Sequence, residues 1–330
     1  MRKLVTYRTV SKIEPISGAD KIELAFVDGW QCVVKKGEFS QSDVALYFEI
    51  DSWLSASDPR FSFLEKQFRK NAVGELGARL RTIKLRGALS QGLLLPVANF
   101  PELADLPCGA DLAAALGVTK WEPPMPACLA GNAKGSFPGF IPKTDQERIQ
   151  NVPHYLDDAG EYEVTVKLDG SSMTVFHNQG ETGVCSRNLE LHETEGNTFW
   201  KVAHRNDIPA RLSVYGKNIA VQGELIGEGI QGNPEKILGH DFYVFDVFDI
   251  DRQTYLSPTE RHEVCGLLGL KHVPILHYKA TLPASVDHAL AIAEGQSLNP
   301  NAKREGLVFK RHDGQRSFKA ISNSYLMAEQ

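Results

Sequence analysis

The first third of the chain contains short apolar runs separated by turn residues. A strand-like composition is found at residues 4–13, 22–27, 30–34, 44–50, 80–85 and 93–97. Asp28 and Gly29 lie between the second run and the third, and this dipeptide is a strong hairpin signal. Short strands at this spacing predict a small β-barrel or sandwich.

A segment rich in proline and glycine separates the two halves of the chain. Between residues 119 and 139 these breakers occupy seven positions: Pro123, Pro124, Pro126, Gly131, Gly135, Pro138 and Gly139. Breakers at this density favour a linker over a helix or strand. We therefore predict a first domain at residues 1–125, a linker at 126–140 and a second domain at 141–330.

The second half mixes strand patterns with two helical ones. Strands are predicted at residues 161–166, 173–177, 182–186, 219–226, 242–250, 306–310 and 316–321. Helices are predicted at residues 258–268 and 284–294, and Ser257 followed by Pro258 is suited to begin the first of them. The predicted fold class is α+β, with an N-terminal barrel followed by a mostly antiparallel domain.

Composition narrows the class of protein. The chain has 330 residues, 42% of them hydrophobic, and no apolar run approaches the ~18 residues of a membrane helix. Since residues 1–10 also lack the apolar core of a signal peptide, we expect a cytoplasmic location and no membrane partner. The formal net charge of −5 argues mildly against a nucleic-acid partner, but binding needs only a local basic surface.

The five cysteines and ten histidines show no metal-binding spacing. No two cysteines are arranged as C-x-x-C, and the histidines form no H-x-H or H-E-x-x-H pattern. We therefore expect reduced, mostly structural cysteines at Cys32, Cys108, Cys128, Cys185 and Cys265.

A lysine motif ends the first strand of the second domain. Lys167, Asp169 and Gly170 form K-x-D-G, which alone occurs by chance in roughly one chain of this length in fifteen. Taken alone, it is equally a solvated lysine beside a turn. Five further polar motifs follow in order: S-R-N at 186–188, G-E-L at 223–225, F-Y-V-F-D at 242–246, E-G-L-V-F-K at 305–310 and S-F-K at 317–319. The ordered set is far more specific than any one motif.

This ordered set resembles the covalent nucleotidyltransferase superfamily of ligases and capping enzymes over residues 141–322. Its S-R-N, F-D and E-G-L-V-F-K wording is most similar to RNA ligases, and residues 144–151 resemble a segment that these enzymes carry upstream of the lysine. The first half resembles an OB module of the tRNA-binding type at residues 12–15 and 18–23. The whole layout looks like the Deinococcus-type RNA ligases, which place an OB-like β-barrel before the nucleotidyltransferase domain.

The resemblance implies an ATP-dependent RNA ligase that acts through lysyl-AMP. Lys167 would attack ATP, the AMP would pass to a 5′-phosphate end, and a 3′-hydroxyl would then displace it. The implied nucleotide-binding residues are Thr165, Val166, Arg187, Glu224, Phe245, Glu305, Lys310, Lys319 and Arg148. The implied ligands of Mg²⁺ or Mn²⁺, in part through water, are Asp169, Glu224 and Glu305. We expect a monomer that repairs RNA and binds RNA or a nicked RNA/DNA duplex.

The reactive lysine must lose its proton before it can attack phosphorus. The ordinary pKa of a lysine is about 10.4, and positive neighbours or burial lower it. We expect Lys310 and Lys319 to supply that charge and to neutralise the α-phosphate. Phe245 is expected to stack on the adenine. Each of these residues has an alternative role in the core or on the surface, and the ordered set favours the site.

Two positions depart from the pattern of the family. Ile321 stands where relatives often have a second lysine, and Ser172 stands where they often have asparagine. These departures leave open how the phosphate and the ribose are held, whereas the nucleophile is unaffected.

A basic stretch in the first domain is a candidate nucleic-acid surface. Its cations include Arg69, Lys70, Arg79, Arg81 and Lys84. Such a stretch can follow a phosphate backbone. A solvated charged face over a helix is an equally good interpretation of the same pattern.

Three other functions fit parts of the sequence. DNA ligases and GTP-using capping enzymes share the motifs but normally carry an OB domain after the last one, whereas eleven residues follow Lys319 here. The remaining alternative is a nucleic-acid-binding OB protein with an inactive second domain. The presence of four motif residues argues against it: Lys167, Glu224, Glu305 and Lys319.

Overall fold

The computed structural model describes residues 2–103, 109–122 and 132–328 and divides them into two units. The first unit comprises the described residues of Met1–Met125 together with Gln150–Pro153, and the second comprises those of Pro126–Ile149 and His154–Ala328. Both units consist mainly of antiparallel strands with few helices, which confirms the predicted α+β class. No helix within the described ranges is long and apolar enough to cross a membrane.

The described part of the first unit contains eleven strands. They are β1 (Val5–Pro15), β2 (Ile22–Val27), β3 (Trp30–Lys35), β4 (Val44–Phe48), β5 (Ser52–Ser55), β6 (Arg69–Lys70), β7 (Leu76–Arg79), β8 (Thr82–Leu85), β9 (Ala88–Gln91), β10 (Leu93–Pro96) and β11 (Thr119–Lys120). Short 3-10 helices lie at Pro59–Gln67, Val97–Asn99, Pro101–Leu103 and Ala114–Leu116.

A bulge allows β1 to belong to two pairings. Its first half pairs with β4 and its second half with β2, and the register shifts between Val10 and Lys12. The resulting sheet has the order β10-β4-β1-β2-β3, and a second sheet has the order β11-β5-β7-β6. Asp28 and Gly29 connect β2 to β3 as the hairpin signal predicts, with Asp28 in the left-handed region at φ 48°.

Residues 150–153 belong to the first unit through side-chain hydrogen bonds. Asn151 accepts the indole N–H of Trp30 at 2.7 Å and donates to Glu49 at 3.0 Å. Trp30 and Glu49 are both buried. The predicted limits place these four residues in the second domain, because nothing in their local pattern reveals partners more than 100 residues earlier in the chain.

The described part of the second unit contains eleven strands and five α-helices. The strands are β12 (Ala133–Ser136), β13 (Tyr162–Lys167), β14 (Ser171–Asn178), β15 (Glu181–Cys185), β16 (Leu189–Leu191), β17 (Ile219–Gly227), β18 (His240–Asp249), β19 (Thr254–Tyr255), β20 (Ile275–Ala280), β21 (Gly306–Arg311) and β22 (Ser317–Ile321). The helices are α1 (Thr198–Arg205), α2 (Ile208–Tyr215), α3 (Pro258–Leu267), α4 (Val286–Ala293) and α5 (Asn323–Ala328). Two 3-10 helices, Ile149–Asn151 and Pro153–Asp157, contain residues assigned to both units.

The second unit contains two antiparallel sheets. Their orders are β12-β16-β15-β14-β17-β18-β19 and β20-β13-β21-β22. Apolar side chains of β14, β17 and β18 pack against α1 and α2 and form the main core. Asn197 caps α1 by accepting the N–H of Phe199 at 2.9 Å, and the predicted cap Ser257 begins α3 in a capping box with Glu260.

The segment predicted as a linker at residues 126–140 contains a strand. β12 pairs with β16, with Ala133 opposite Leu191. All four of its side chains are exposed, so the alternation that marks a half-buried strand is missing from the sequence. Residues 123–131, including Cys128, lie outside the described residues, as does Cys108. The remaining domain limits stay a prediction.

The strands that the pattern does not predict are short or exposed. β6 and β11 have two residues each, and β5, β7 and β9 have four, which is too few to show an alternation. β20 has six residues, but four consecutive ones are exposed, and pairing with β13 is what makes it a strand. The described cysteines are buried free thiols, as expected: Cys32, Cys185 and Cys265.

Candidate functional site

One face of the four-stranded sheet carries a row of polar side chains. Lys167 at the end of β13 lies opposite Gly306 of β21. Two residues back along β13, Thr165 lies opposite Val308, which in turn lies opposite Lys319 of β22. Residues paired directly across antiparallel strands project from the same face. Lys167, Thr165 and Lys319 are thereby brought together on one surface.

Val166 projects from the other face of the same sheet. Its side chain is buried in a hydrophobic cluster with Leu168 and Ile226, and its N–H donates to the carbonyl oxygen of Pro274 at 2.8 Å. Of the two residues predicted to bind nucleotide just before the lysine, only Thr165 therefore presents its side chain to the site face.

The glycines of two motifs are required by close packing of strands. A Cβ atom at Gly170 would lie 2.4 Å from the carbonyl oxygen of Leu225, and one at Gly306 would lie 2.2 Å from that of Ala320. No side chain can be placed at such distances without moving the backbone. The glycine of K-x-D-G thus allows the turn after Lys167 to approach β17.

Lys167 forms an ion pair with a motif carboxylate. Its Nζ lies 2.7 Å from Oε2 of Glu305, which immediately precedes β21, and the lysine side chain is 25% exposed. Burial lowers the pKa of Lys167, but the charges of Glu305, Glu224 and Asp169 outweigh that effect and raise its pKa above the ordinary value. The amine is therefore protonated in this arrangement.

The expectation that Lys310 and Lys319 lower the pKa of Lys167 is wrong for this arrangement. The groups around the amine are carboxylates, so the net effect has the opposite sign. Lys310 lies four residues along β21 from the partner of Lys167, which is about 13 Å along a strand.

Three carboxylates act electrostatically on the amine of Lys167: Glu305, Glu224 and Asp169. Glu224 lies on β17, opposite Ser172 of β14. Burial raises the pKa of Glu224 to about 8, with Lys167 opposing the rise and Glu305 and Asp169 adding to it. Carboxylate oxygens are among the ligands that Mg²⁺ and Mn²⁺ prefer.

Buried polar atoms lie on the face of the seven-stranded sheet that carries Ser172 and Glu224. Thr174 lies opposite Gln222, two residues from the pair of Ser172 and Glu224. The hydroxyl of Thr174 and the side-chain oxygen of Gln222 are buried and have no hydrogen-bond partner among the described residues. Because buried polar groups are nearly always satisfied, these atoms fit a site that binds a polar molecule or ordered water.

Phe245 presents a half-buried ring beside a buried ion pair. Lys310 lies 2.7 Å from Asp246, donates a hydrogen bond to the backbone carbonyl of Phe245, and has its Nζ 5.7 Å from that ring. Burial lowers the pKa of Lys310 to about 8 although Asp246 opposes this. Lys310 therefore holds the backbone segment that includes Phe245. Asp246 is the aspartate of the F-D motif, but it is missing from the predicted site residues.

Asp145 brings two of the predicted cations together. Its carboxylate oxygens lie 2.9 Å from Arg187 and 3.8 Å from Nζ of Lys319. Arg187 follows β15, and Lys319 lies on β22 of the other sheet. Two cations that converge on one carboxylate can converge in the same way on a phosphate.

The segment upstream of the lysine runs beside β22. The backbone of Arg148 forms a parallel bridge with Lys319, whose N–H donates to the carbonyl oxygen of Glu147 at 2.8 Å. Arg148 is buried. The resemblance of residues 144–151 to a ligase segment thus corresponds to a location at the site.

The two departures from the family pattern also lie at the site. Ile321 is paired with Gly306, so it shares the face and the row of Lys167, and it is buried. An apolar group therefore occupies that position. The Ser172 hydroxyl lies 3.0 Å from that of Thr144, opposite Glu224.

A buried ionic network next to the site has no counterpart in the predicted residues. Arg261 of α3 is 1% exposed, pairs with Glu163, and lies 3.8 Å from Asp246. It also donates to Nε2 of His272 at 3.0 Å. Burial, together with the charge of Arg261, lowers the pKa of His272 to about 3, so its ring is neutral and can accept this bond. In the sequence, Arg261 is a single arginine within a helical pattern, which gives little indication that it is buried or close to the site.

The five basic residues predicted to bind nucleic acid in the first unit differ in their local contacts. Arg79 is half-buried, lies 2.6 Å from Asp51, and covers the ring of Trp121 at 3.9 Å, which gives it a structural role. The side chain of Arg69 donates to nearby backbone carbonyls. The remaining three are exposed and form no ion pair within the described parts of the chain: Lys70, Arg81 and Lys84.

Comparisons with known proteins agree with this geometry. The model of the RNA ligase family matches residues 160–321, and that of an OB-fold domain matches residues 4–97. A search of curated proteins returned no match.

Solved structures extend the similarity to the whole chain. They include an RNA ligase from Naegleria gruberi with pyrophosphate, a lysine-to-alanine mutant of it with ATP and Mn, and a glutamate-to-alanine mutant with AMP and Mn. Each is 52% identical, with a TM-score of 0.95, over 99% of this chain and 99% of the other. The sequence motifs, the arrangement of polar residues around Lys167 and this full-length similarity together establish that the chain belongs to the RNA ligase family.

Proposed function

We propose that Lys167 of this RNA ligase attacks the α-phosphorus of ATP to form lysyl-AMP and release pyrophosphate. The AMP then passes from Lys167 to a 5′-phosphate end, and a 3′-hydroxyl attacks that phosphate, which seals the strand and releases AMP. The observation that supports the proposal is the position of Lys167 at a strand end, paired with Glu305 and on the same face as Lys319. Carboxylates suit a divalent cation, and converging cations suit a phosphate. The covalent intermediate divides one difficult displacement into easier steps.

Asp169, Glu224 and Glu305 are the residues that would hold Mg²⁺ or Mn²⁺, in part through water. Their fit is supported by the raised pKa of Glu224, since a cation relieves the crowding of negative charge. A bound cation supplies positive charge that offsets these carboxylates and lowers the pKa of Lys167. Mutants of the N. gruberi ligase were solved with ATP and Mn and with AMP and Mn.

The nucleotide is held by side chains of both sheets. Phe245 stacks on the adenine, and Thr165 of β13 lines the nucleotide site on the face of Lys167. Arg187 and Lys319 both lie near Asp145. When ATP binds, its phosphate oxygens replace the carboxylate of Asp145 as their partner. Since Lys319 projects from the same face as Lys167, its charge can act at the phosphorus that Lys167 attacks.

Two further residues support the nucleotide indirectly. Lys310 holds Phe245 through the backbone carbonyl and Asp246. Arg148 holds Lys319 in place through the backbone pairing beside β22.

The substrate is an RNA, most suitably a nick in a duplex with RNA on the 3′-hydroxyl side. The exposed cations of the first unit support a role in holding the duplex backbone: Arg69, Lys70, Arg81 and Lys84. We further propose that the enzyme acts as a cytoplasmic monomer in RNA repair, as the resemblance to Deinococcus-type ligases implies.

The first step is tested by incubating the protein with labelled ATP or labelled GTP and Mn²⁺. We expect label from ATP to become bound to the protein, and Lys167→Ala to carry none. Label from GTP alone would indicate a capping enzyme. A wild-type protein that gains no AMP would support the inactive OB protein.

The later steps are tested by sealing nicks with every combination of RNA and DNA at the two ends. We expect sealing when the 3′-hydroxyl strand ends in RNA. Equal or faster sealing with DNA at that end would indicate a DNA ligase.

A further inference from the structure

One buried carboxylate joins two loops that flank the site. Glu235 lies in the loop between β17 and β18 and is 7% exposed. One of its oxygens accepts the N–H of Asn299 at 2.7 Å, and the other accepts the hydroxyl of Ser297. Asn299 returns a hydrogen bond from its side-chain amide to the carbonyl oxygen of Pro234 at 2.9 Å. Three hydrogen bonds thus connect this loop to the one before β21.

The loop before β21 leads directly to the partner of Lys167. Gln296 pairs with Lys303, and the N–H of Arg304 donates to the carbonyl oxygen of Gly295 at 3.0 Å, so residues 295–304 form a closed turn. Glu305 follows this turn at once. A displacement of residues 295–304 therefore also displaces the backbone of Glu305.

The loop that contains Glu235 is attached to the support of Lys167. Two residues after Glu235, Ile237 packs against a hydrophobic cluster that includes Val166 and Leu168. These two residues flank Lys167 in the chain and project from the opposite face. Glu235 therefore lies between the apolar base beneath Lys167 and the turn that carries Glu305.

Backbone strain shows that the loop between β17 and β18 is held in place. Gln231, Asn233 and Lys236 all have left-handed conformations, with φ between 46° and 52°. Such conformations are unfavourable for residues other than glycine and persist only where surrounding contacts impose them. The side chain of Asn233 provides one such contact, through two hydrogen bonds to the backbone of Ile237. Glu235 provides the contact to the neighbouring loop.

We propose that Glu235 is a positioning residue that holds Glu305 at its place beside Lys167 during lysine adenylylation. The inference rests on the proposed roles of Lys167 and Glu305. It adds a residue that touches neither the nucleotide nor the lysine and acts through the two loops.

The test compares the rate of lysyl-AMP formation at saturating ATP across variants of Glu235. We expect Glu235→Ala to lower this rate about tenfold and to raise the Mn²⁺ concentration for half-maximal rate about threefold, as supporting residues of metal sites do. Glu235→Gln should stay within about twofold of wild type, since a glutamine can accept from the N–H of Asn299 and donate to Ser297. Glu228→Ala, an exposed glutamate of the same loop, is the matched control and should behave as wild type.

Three outcomes would overturn the proposal. One is a folded Glu235→Ala protein with the rate and Mn²⁺ response of wild type. Another is a Glu235→Gln protein as slow as Glu235→Ala. If Glu235→Ala does not fold, Ser297→Ala decides, because it removes one of the three hydrogen bonds, and an unchanged rate there would reject the role. Loss of labelling in the wild type, or its persistence in Lys167→Ala, would instead reject the proposed function.

Discussion

The charge of the Glu224 carboxyl group depends strongly on its surroundings. Burial raises its pKa to about 8, and Lys167 only partly opposes this. Because the pKa in the folded state is above the ordinary value of 4.5, protonated Glu224 stabilises the fold at low pH. That contribution is lost as the pH rises from 4.5 through about 8.

We expect Glu224→Gln to remove this pH dependence. In the presence of a chelator, the free energy of unfolding of the wild type relative to the variant should fall between about pH 5 and about pH 8. Urea unfolding at both pH values measures it. Glu228→Gln, an exposed glutamate beyond the end of the same strand, should follow the wild type. A wild-type-to-variant difference that is equal at both pH values would contradict the assignment.

Lys310 and Asp246 provide a second test among single residues. Both are buried, and removing Lys310 leaves Asp246 with only the more distant Arg261, 3.8 Å away, as an ionic partner. We expect Lys310→Met to lower the free energy of unfolding by about 3 kcal/mol, and Lys310→Met with Asp246→Asn to recover much of the loss.

The control for this pair is Lys201→Met, which removes an exposed lysine of α1 and should change the free energy of unfolding by less than about 0.5 kcal/mol. Urea unfolding monitors all the variants. Equal stability of Lys310→Met and Lys201→Met would show that Lys310 has no structural role.

Among the elements, the turn between β13 and β14 determines where Lys167 is placed. This turn approaches β17 so closely that residue 170 has no room for a side chain. Lys167 is the last residue of β13, so any shift of the turn moves the reactive amine. Close packing therefore requires glycine at position 170, and this packing also fixes the position of the Lys167 amine.

We expect Gly170→Ala to lower the free energy of unfolding by about 1–3 kcal/mol and to slow lysyl-AMP formation. Gly196→Ala is the matched control, because a Cβ there meets no atom within 4 Å. Urea unfolding and labelling with ATP measure the two effects. Normal labelling and stability in Gly170→Ala would mean that the turn can move without affecting Lys167.

For the whole molecule, the charge of the first unit differs from that of the chain. The protein carries a net charge of −5, yet residues 66–86 contain seven basic residues and one acidic residue. Arg81 and Lys84 are exposed there and have no ion pair within the described ranges. A nucleic acid is attracted by such a local surface whatever the total charge.

We expect Arg81→Ala and Lys84→Ala each to weaken RNA binding and to reduce the slope of log affinity against log salt by about 1. Formation of lysyl-AMP should not change. Binding measured at several salt concentrations checks this, with Lys201→Ala as the control. Arg79→Ala should instead lower stability, because its charge is paired with Asp51. An unchanged salt slope in both exposed variants would place the RNA elsewhere.

Much of the fold and part of the site were predictable because their information is local. The hairpin at Asp28 and Gly29, the cap at Ser257 and the alternating strands depend on neighbouring residues, and the structure confirms them. The ordered motifs also pointed to Thr165 and Lys319, which the structure places on the face of Lys167, whereas Val166 projects from the other face.

The sequence by itself therefore determined the class of fold, the strands with a half-buried pattern and the candidate nucleophile. Only the tertiary structure decided that carboxylates surround Lys167, that Lys310 pairs with Asp246, and that residues 150–153 belong to the first unit. The reason is that the pKa of a side chain depends on charges within a few ångströms in space. Apart from Asp169, these neighbours are more than 50 residues away in the chain: Glu305 from Lys167, and Phe245 from Lys310.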